Sequence, residues 1–89
     1  MEIEFDPAKS DKTLRDRGFG FAYAARVFLG PVVEFDSKRS DLNERRIVAL
    51  GEVEGEVLAV VYTDRGDVRR IISARRASRK ERRIWKENQ

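Results

Sequence analysis

Residues 57–74 read Val57-Leu58-Ala59-Val60-Val61-Tyr62-Thr63-Asp64-Arg65-Gly66-Asp67-Val68-Arg69-Arg70-Ile71-Ile72-Ser73-Ala74, and this stretch decides the fold. Its first half is apolar at consecutive positions, the pattern of a strand covered on both faces. Glu56–Thr63 is therefore expected at the centre of a sheet. Asp64-Arg65-Gly66 then turns the chain back into a second strand, Val68–Ala74. Toward the N-terminus, Arg46–Leu50 forms another strand, connected to the central one through Gly51-Glu52-Val53-Glu54-Gly55. Val32–Phe35 is a short strand ahead of a polar loop, Asp36–Glu44. Toward the C-terminus, Ser78 with Glu81 three residues later is a capping box, which starts a last helix at about Arg79 and carries it to Lys86.

The first thirty residues supply the other elements. Met1–Phe5 alternates Ile3 and Phe5 with Glu2 and Glu4, which suits a short edge strand. Asp6 caps and Pro7 opens a helix that Gly18 stops. That helix, Pro7–Arg17, has few apolar residues, chiefly Ala8 and Leu14, and must be largely exposed. Phe21, Ala24, Ala25 and Phe28 recur at helical spacing and mark the buried face of a second helix, ended by Gly30-Pro31. Aromatics at that spacing belong to a core rather than to a base-stacking platform. The expected architecture is α+β, with an antiparallel β-meander, two N-terminal helices and a C-terminal helix, in one domain over residues 1–89.

Charge is distributed unevenly. Residues 65–86 hold ten basic and two acidic side chains, whereas residues 1–64 hold nine basic and thirteen acidic ones. The net charge of +3 thus hides one cationic end, which attracts polyanions such as a phosphate backbone. Fourteen of the nineteen basic residues are arginine, whose planar fork grips phosphate in a bidentate manner. The bland reading of the same run is a solvated helix face. Cysteine and histidine are both absent, which removes disulfides, thiolate nucleophiles, zinc sites and imidazole acid–base schemes. No cofactor or metal is expected. With neither a long apolar run nor a signal-peptide pattern, the expected location is the cytoplasm. The chemistry that suits clustered arginines beside a carboxylate is stabilisation of a phosphate whose negative charge is growing.

Strict alternation along Val68–Ala74 sets Arg70 beside Val68, Ile72 and Ala74, with Arg69, Ile71 and Ser73 on the other side. Arg46 alternates with Val48 and Leu50 in the same way. A guanidinium among apolar neighbours needs an anion or a groove. Together with Arg65 in the turn and Arg75 at the strand end, these residues would line one concave face. The alternative is that each is paired with an internal acid such as Glu44, Asp41 or Glu81.

The string Arg70-Ile71-Ile72-Ser73-Ala74-Arg75-Arg76-Ala77-Ser78-Arg79-Lys80-Glu81-Arg82, preceded by Thr63-Asp64-Arg65-Gly66, resembles the BrnT toxins of bacterial type II toxin–antitoxin operons. Phe5-Asp6-Pro7, Lys9, Leu14, Gly18, Val27-Phe28, Asp41, Glu44, Arg46, Gly51 and Gly55 extend the resemblance over nearly the whole chain. It implies a RelE-like ribonuclease fold and RNA as substrate. It also implies neutralisation by a BrnA-like antitoxin with a ribbon-helix-helix domain, which reaches operator DNA as a complex, with a homodimer within that complex as a further expectation. Leu42-Asn43 and Trp85 stand where relatives commonly carry tyrosines, so two phenols are missing.

RNA cleavage by such a site needs a base for the 2′-hydroxyl proton, cations for the phosphorus oxyanions and a proton for the leaving 5′-oxygen. The candidate cations are Arg46, Arg65, Arg70 and Arg75. Glu81 or Glu44 is the candidate base, and Lys80 the candidate proton donor. Arg76, Arg79, Lys80 and Trp85 are expected to bind RNA through backbone contact and stacking. Two other functions share the basic cluster: a non-catalytic nucleic-acid-binding module, and a catalytically weak toxin scaffold that acts as co-repressor.

Overall fold

The computed structural model describes residues 1–89. Its elements run β1 (Glu2–Phe5), α1 (Pro7–Arg17), α2 (Phe21–Ala24) continued by a 3-10 segment (Ala25–Leu29), β2 (Val33–Asp36), β3 (Ile47–Val53), β4 (Glu56–Arg65), β5 (Val68–Arg76) and α3 (Arg79–Glu87). The five strands form one sheet in the order β1-β5-β4-β3-β2. As its apolar run requires, β4 is central, and Leu58, Ala59 and Val60 are fully buried.

The sheet is mixed rather than purely antiparallel. Strands β2 to β5 make the expected meander, but β1 lies parallel to β5, with Phe5 opposite Ile71. A hairpin turn imposes antiparallel pairing only on consecutive strands; β1 and β5 are separated by most of the chain and are free of that constraint. Both hairpins are tighter than the sequence suggests. Glu54 (φ 50°) and Gly55 (φ 82°) form a two-residue turn in the left-handed conformation that such hairpins favour. Gly51, Glu52 and Val53 consequently belong to β3 and not to a connection. At the other hairpin Arg65 pairs with Val68, so Gly66-Asp67 alone makes the turn.

The second helix is shorter than expected. One α-helical turn passes into the 3-10 segment, and the buried residues are Phe21, Ala24 and Val27, spaced by the three residues per turn of a 3-10 helix. Phe28 is only partly buried and packs edge-to-face on Tyr62, with centroids 5.3 Å apart. Helix α1 buries no residue, in keeping with its polar sequence.

Two apolar layers cover the sheet. On one face Phe19, Phe21, Ala24 and Val27 pack against Val53, Leu58, Val60, Ile71 and Ala74. On the opposite face Trp85, flanked by Ile84, packs on Val48, Leu50 and Ala59. A bulge between β4 and β5 at Val61/Tyr62 adjusts the two faces: Ser73 lies opposite Val61 and Ile71 opposite Tyr62, leaving Ile72 as the extra residue. Past the bulge the alternation is reset. Ile71 and Ala74 both face the first layer, while Arg70, Ser73 and Arg75 share the second face.

Gly51 marks where the 3-10 segment presses on β3. A Cβ there would lie 2.6 Å from Val27 Cβ, closer than carbon atoms can approach. Gly51→Ala should destabilise the protein by about 1–3 kcal/mol, the usual cost of overpacking. In a domain of this size that lowers Tm by roughly 4–8 °C per kcal/mol. A thermal melt unchanged from wild type would contradict the close approach.

Candidate nucleic-acid interface

The junction of β5 and α3 is built on one carboxylate. Ser78 caps α3, its hydroxyl accepting from the Glu81 amide at 3.2 Å, while Glu81 Oε1 accepts from the Ser78 amide at 2.9 Å. The same carboxylate receives the fork of Arg75, Nη1 at 2.5 Å and Nη2 at 2.9 Å. The Glu81 side chain is only 11 % exposed. Chiefly through the Arg75 hydrogen bonds, and against the opposing effect of burial, its pKa is held down at about 2 from an ordinary 4.5. The Arg75 pKa is raised by the same contact. A carboxylate so fully occupied is a weak proton acceptor, and its structural effect is to fix the orientation of Arg75.

Arg75 opens onto a groove of about 920 Å³. Val48, Val61 and Ile72 lie along the floor, with Ser73, Arg46 and Arg75 among them. Lys9, Lys12 and Thr13 of α1 border one side; Lys38 and Arg39, from the β2–β3 connection, and Ser78 and Lys80, at the start of α3, border others. Lys9, Lys38, Arg39 and Lys80 are exposed and make no ion pair. Lys12 is paired with Asp16, and Asp36 with Arg45. The groove therefore carries unpaired positive charge over an apolar floor, the environment that attracts a phosphodiester and leaves room for its bases.

Of the cations singled out in the sequence, Arg46 and Arg75 meet in this groove. Arg46 Nε lies 3.3 Å from Glu44, which also reaches Arg65 at 3.3 Å. Arg65 and Arg70 sit on the same sheet face but outside the groove, and Arg70 is paired with Glu4 of β1 at 3.2 Å. The internal acids thus take up each of the four arginines: Glu44 for two, Glu4 and Glu81 for the others. Arg79 and Lys80 are exposed at the first turn of α3.

Three expectations are corrected. Arg76 points to the opposite sheet face, where it pairs with Glu56 at 2.7 Å, donates to the Arg17 carbonyl and lies 5.3 Å over the Phe19 ring. Trp85 is 6 % exposed and fills the second core layer, so it offers no stacking surface. The arginine set among apolar neighbours is Arg69 rather than Arg70, because the bulge breaks the alternation of β5. Arg69 stacks 3.9 Å over Tyr62 and 4.8 Å over Phe28 and forks onto Asp64 at 2.9 and 3.0 Å. Burial, followed by its hydrogen bond to Glu34, raises the Tyr62 phenol, which stays neutral.

Lys9, Lys12, Lys38 and Arg39 were missed in the sequence. They are scattered through two polar segments distant in the chain, and only the fold brings them to one groove.

Over residues 5–81 the chain matches the family model of the ribonuclease toxin BrnT of type II toxin–antitoxin systems. No curated protein sequence matches it. No helix is long and apolar enough to cross a membrane.

Because the folded-state pKa of Glu81 lies below its ordinary value, the carboxylate contributes stability above pH 4.5, and that contribution is lost as pH falls toward 2. It amounts to something on the order of 3 kcal/mol. Wild type should exceed Glu81→Gln by about this much at pH 6 in chemical denaturation, and the gap should close between pH 4.5 and 2. A gap independent of pH would contradict the buried fork.

Proposed function

The chain belongs to the BrnT family, the ribonuclease toxins of type II toxin–antitoxin systems, and from that membership we propose that its cationic groove binds and cuts single-stranded RNA without a metal ion. The observation that carries this reading is Arg75, aimed into the groove by a carboxylate that has no other freedom. An arginine positioned in advance meets a developing oxyanion with little reorganisation, the condition under which such donors contribute most.

In the proposed reaction the 2′-oxygen of one nucleotide attacks the adjacent phosphorus, and the bond from phosphorus to the 5′-oxygen breaks. Arg75 and Arg46 hold the non-bridging oxygens as their charge grows. Glu81 positions Arg75. Its low pKa leaves the 2′-hydroxyl proton to Glu44, which lies beside Arg46, and Lys80 protonates the departing 5′-oxygen. In this reading cations of the protein take the part that a bound metal would have. The products carry a 2′,3′-cyclic phosphate and a 5′-hydroxyl. Arg65 and Arg70 act on this centre from outside the groove: Arg65 through the Glu44 it shares with Arg46, Arg70 through the field of the sheet face.

A type II toxin has an antitoxin partner. We take that partner to be a BrnA-like protein with a ribbon-helix-helix domain, through which a complex containing a toxin homodimer contacts operator DNA. The meander with helices on both faces is read as RelE-like, and the protein as acting in the cytoplasm.

Arg75→Ala should lower RNA cleavage by about 10²–10³-fold, the effect of losing one oxyanion donor. Arg75→Lys, which keeps the charge but not the fork, should fall between. Arg70→Ala should cost less than Arg75→Ala. Cleavage should persist in EDTA. Folded Arg75→Ala protein that cuts at the wild-type rate, or activity abolished by EDTA and restored by magnesium, would overturn the proposal.

A further inference from the structure

Seven of the eight aromatic side chains are accounted for by the core. Phe5 packs on Phe21, Phe19 on Tyr23 and Phe28 on Tyr62, and Trp85 fills the second apolar layer. The eighth, Phe35, belongs to neither core layer, has no aromatic partner and is 37 % exposed. It lies on β2, the edge strand, directly opposite Val48. That register turns the ring to the groove side of the sheet, where it lines the groove together with Arg46 and the unpaired Lys38 and Arg39. Val48 is its cross-strand neighbour on that face, and solvent reaches over a third of the residue. An exposed phenyl ring in a cationic groove has little structural return, because its packing against Val48 would be met as well by leucine. It does provide a flat apolar surface where a nucleobase can lie while its phosphates meet the flanking cations.

We propose that Phe35 is the base-stacking residue of the groove, receiving one nucleobase of the RNA and so fixing where the phosphate falls relative to Arg46 and Arg75. The inference rests on the groove being the RNA site. It replaces the platform that Trp85, buried under α3, does not provide. Stacking on a phenyl ring is tolerant of base identity, so Phe35 contributes affinity and register more than sequence preference.

The test uses the full chain and two oligonucleotides of equal length and charge. One is 2′-O-methyl RNA, which cannot be cut because its nucleophile is blocked; the other is the same backbone without bases. Wild type should bind the base-bearing strand at least about fivefold more tightly. Phe35→Leu, which keeps an apolar cover on Val48, should lose that preference while binding the abasic strand as wild type does, and Phe35→Trp should restore it. Thermal melts establish that all variants are folded. If Phe35→Leu retains the preference while the Lys38→Ala/Arg39→Ala variant weakens binding of both strands, the groove stands and the role of Phe35 is overturned. If the lysine–arginine variant binds both strands like wild type, RNA lies elsewhere and the inference falls with the groove itself.

Discussion

The β-bulge at Val61/Tyr62 is the constraint on which the rest depends. Side chains alternate along a strand, so an insertion of one residue exchanges the faces of everything beyond it. Here Ile72 is the inserted residue, and its presence lets Ile71 and Ala74, three apart, both reach the first core layer. The same shift sends Ser73 and Arg75 to the opposite face with Arg70. Without it either Ile71 or Ala74 would leave the core, and in the second case Arg75, which follows Ala74, would point away from α3. Packing of the hydrophobic layer and direction of the central cation are thus set by one irregularity.

The second determinant is Glu81, which joins two demands that usually fall to different residues. As the N3 residue of a capping box it closes the N-terminus of α3; as the partner of Arg75 it ties that helix to the end of β5. Trp85, one turn later, anchors the same helix on Val48, Leu50 and Ala59. The capping interactions are worth about 1 kcal/mol, and removing one partner of the fork costs more, because it strands the other charge in a partly buried site. Function follows from this arrangement. A guanidinium that donates two hydrogen bonds to a fixed carboxylate cannot swing, and it presents its remaining edge to the groove. The cost is that Glu81, with its pKa near 2, is removed from proton transfer. In the reaction we propose, that leaves Glu81 to position Arg75 and Glu44 to act as the base.

Much of this was legible in the sequence. The apolar run of β4, the Asp6-Pro7 start and Gly18 stop of α1, and the Ser78–Glu81 box each rest on local chemistry that the chain states within four residues. The departures have physical causes as well. Arg69-Arg70-Ile71-Ile72 supplies a cation and an aliphatic residue in either parity, so alternation alone does not say which arginine faces the core, and a bulge is invisible until both strands are paired. The 3-10 continuation of α2 depends on Val27 meeting Gly51, a contact distant in sequence. Trp85 reads as a polar-helix aromatic until the sheet beneath it is known. The cationic groove shows the largest gap. Arg75 lies in the conspicuous basic run and Arg46 alternates with Val48 and Leu50, whereas Lys9, Lys38 and Arg39 come from segments without any distinguishing pattern.

The family to which the chain belongs assigns it an RNA substrate and an antitoxin, and the cationic groove on one face of the sheet is where we place that activity. The most direct measurement is NMR mapping of backbone amides on titration with an uncleavable 2′-O-methyl RNA. Shifts should be confined to the groove: Phe35 to Arg39, Ser73 and Arg75 on β5, and Ser78 to Lys80. Residues of the opposite face, such as Phe19, Tyr23 and Arg76, should stay unchanged. Shifts centred on Arg76, Arg26 and Arg17, with the amides around Arg75 unmoved, would contradict that placement and transfer the RNA site to the other side of the sheet.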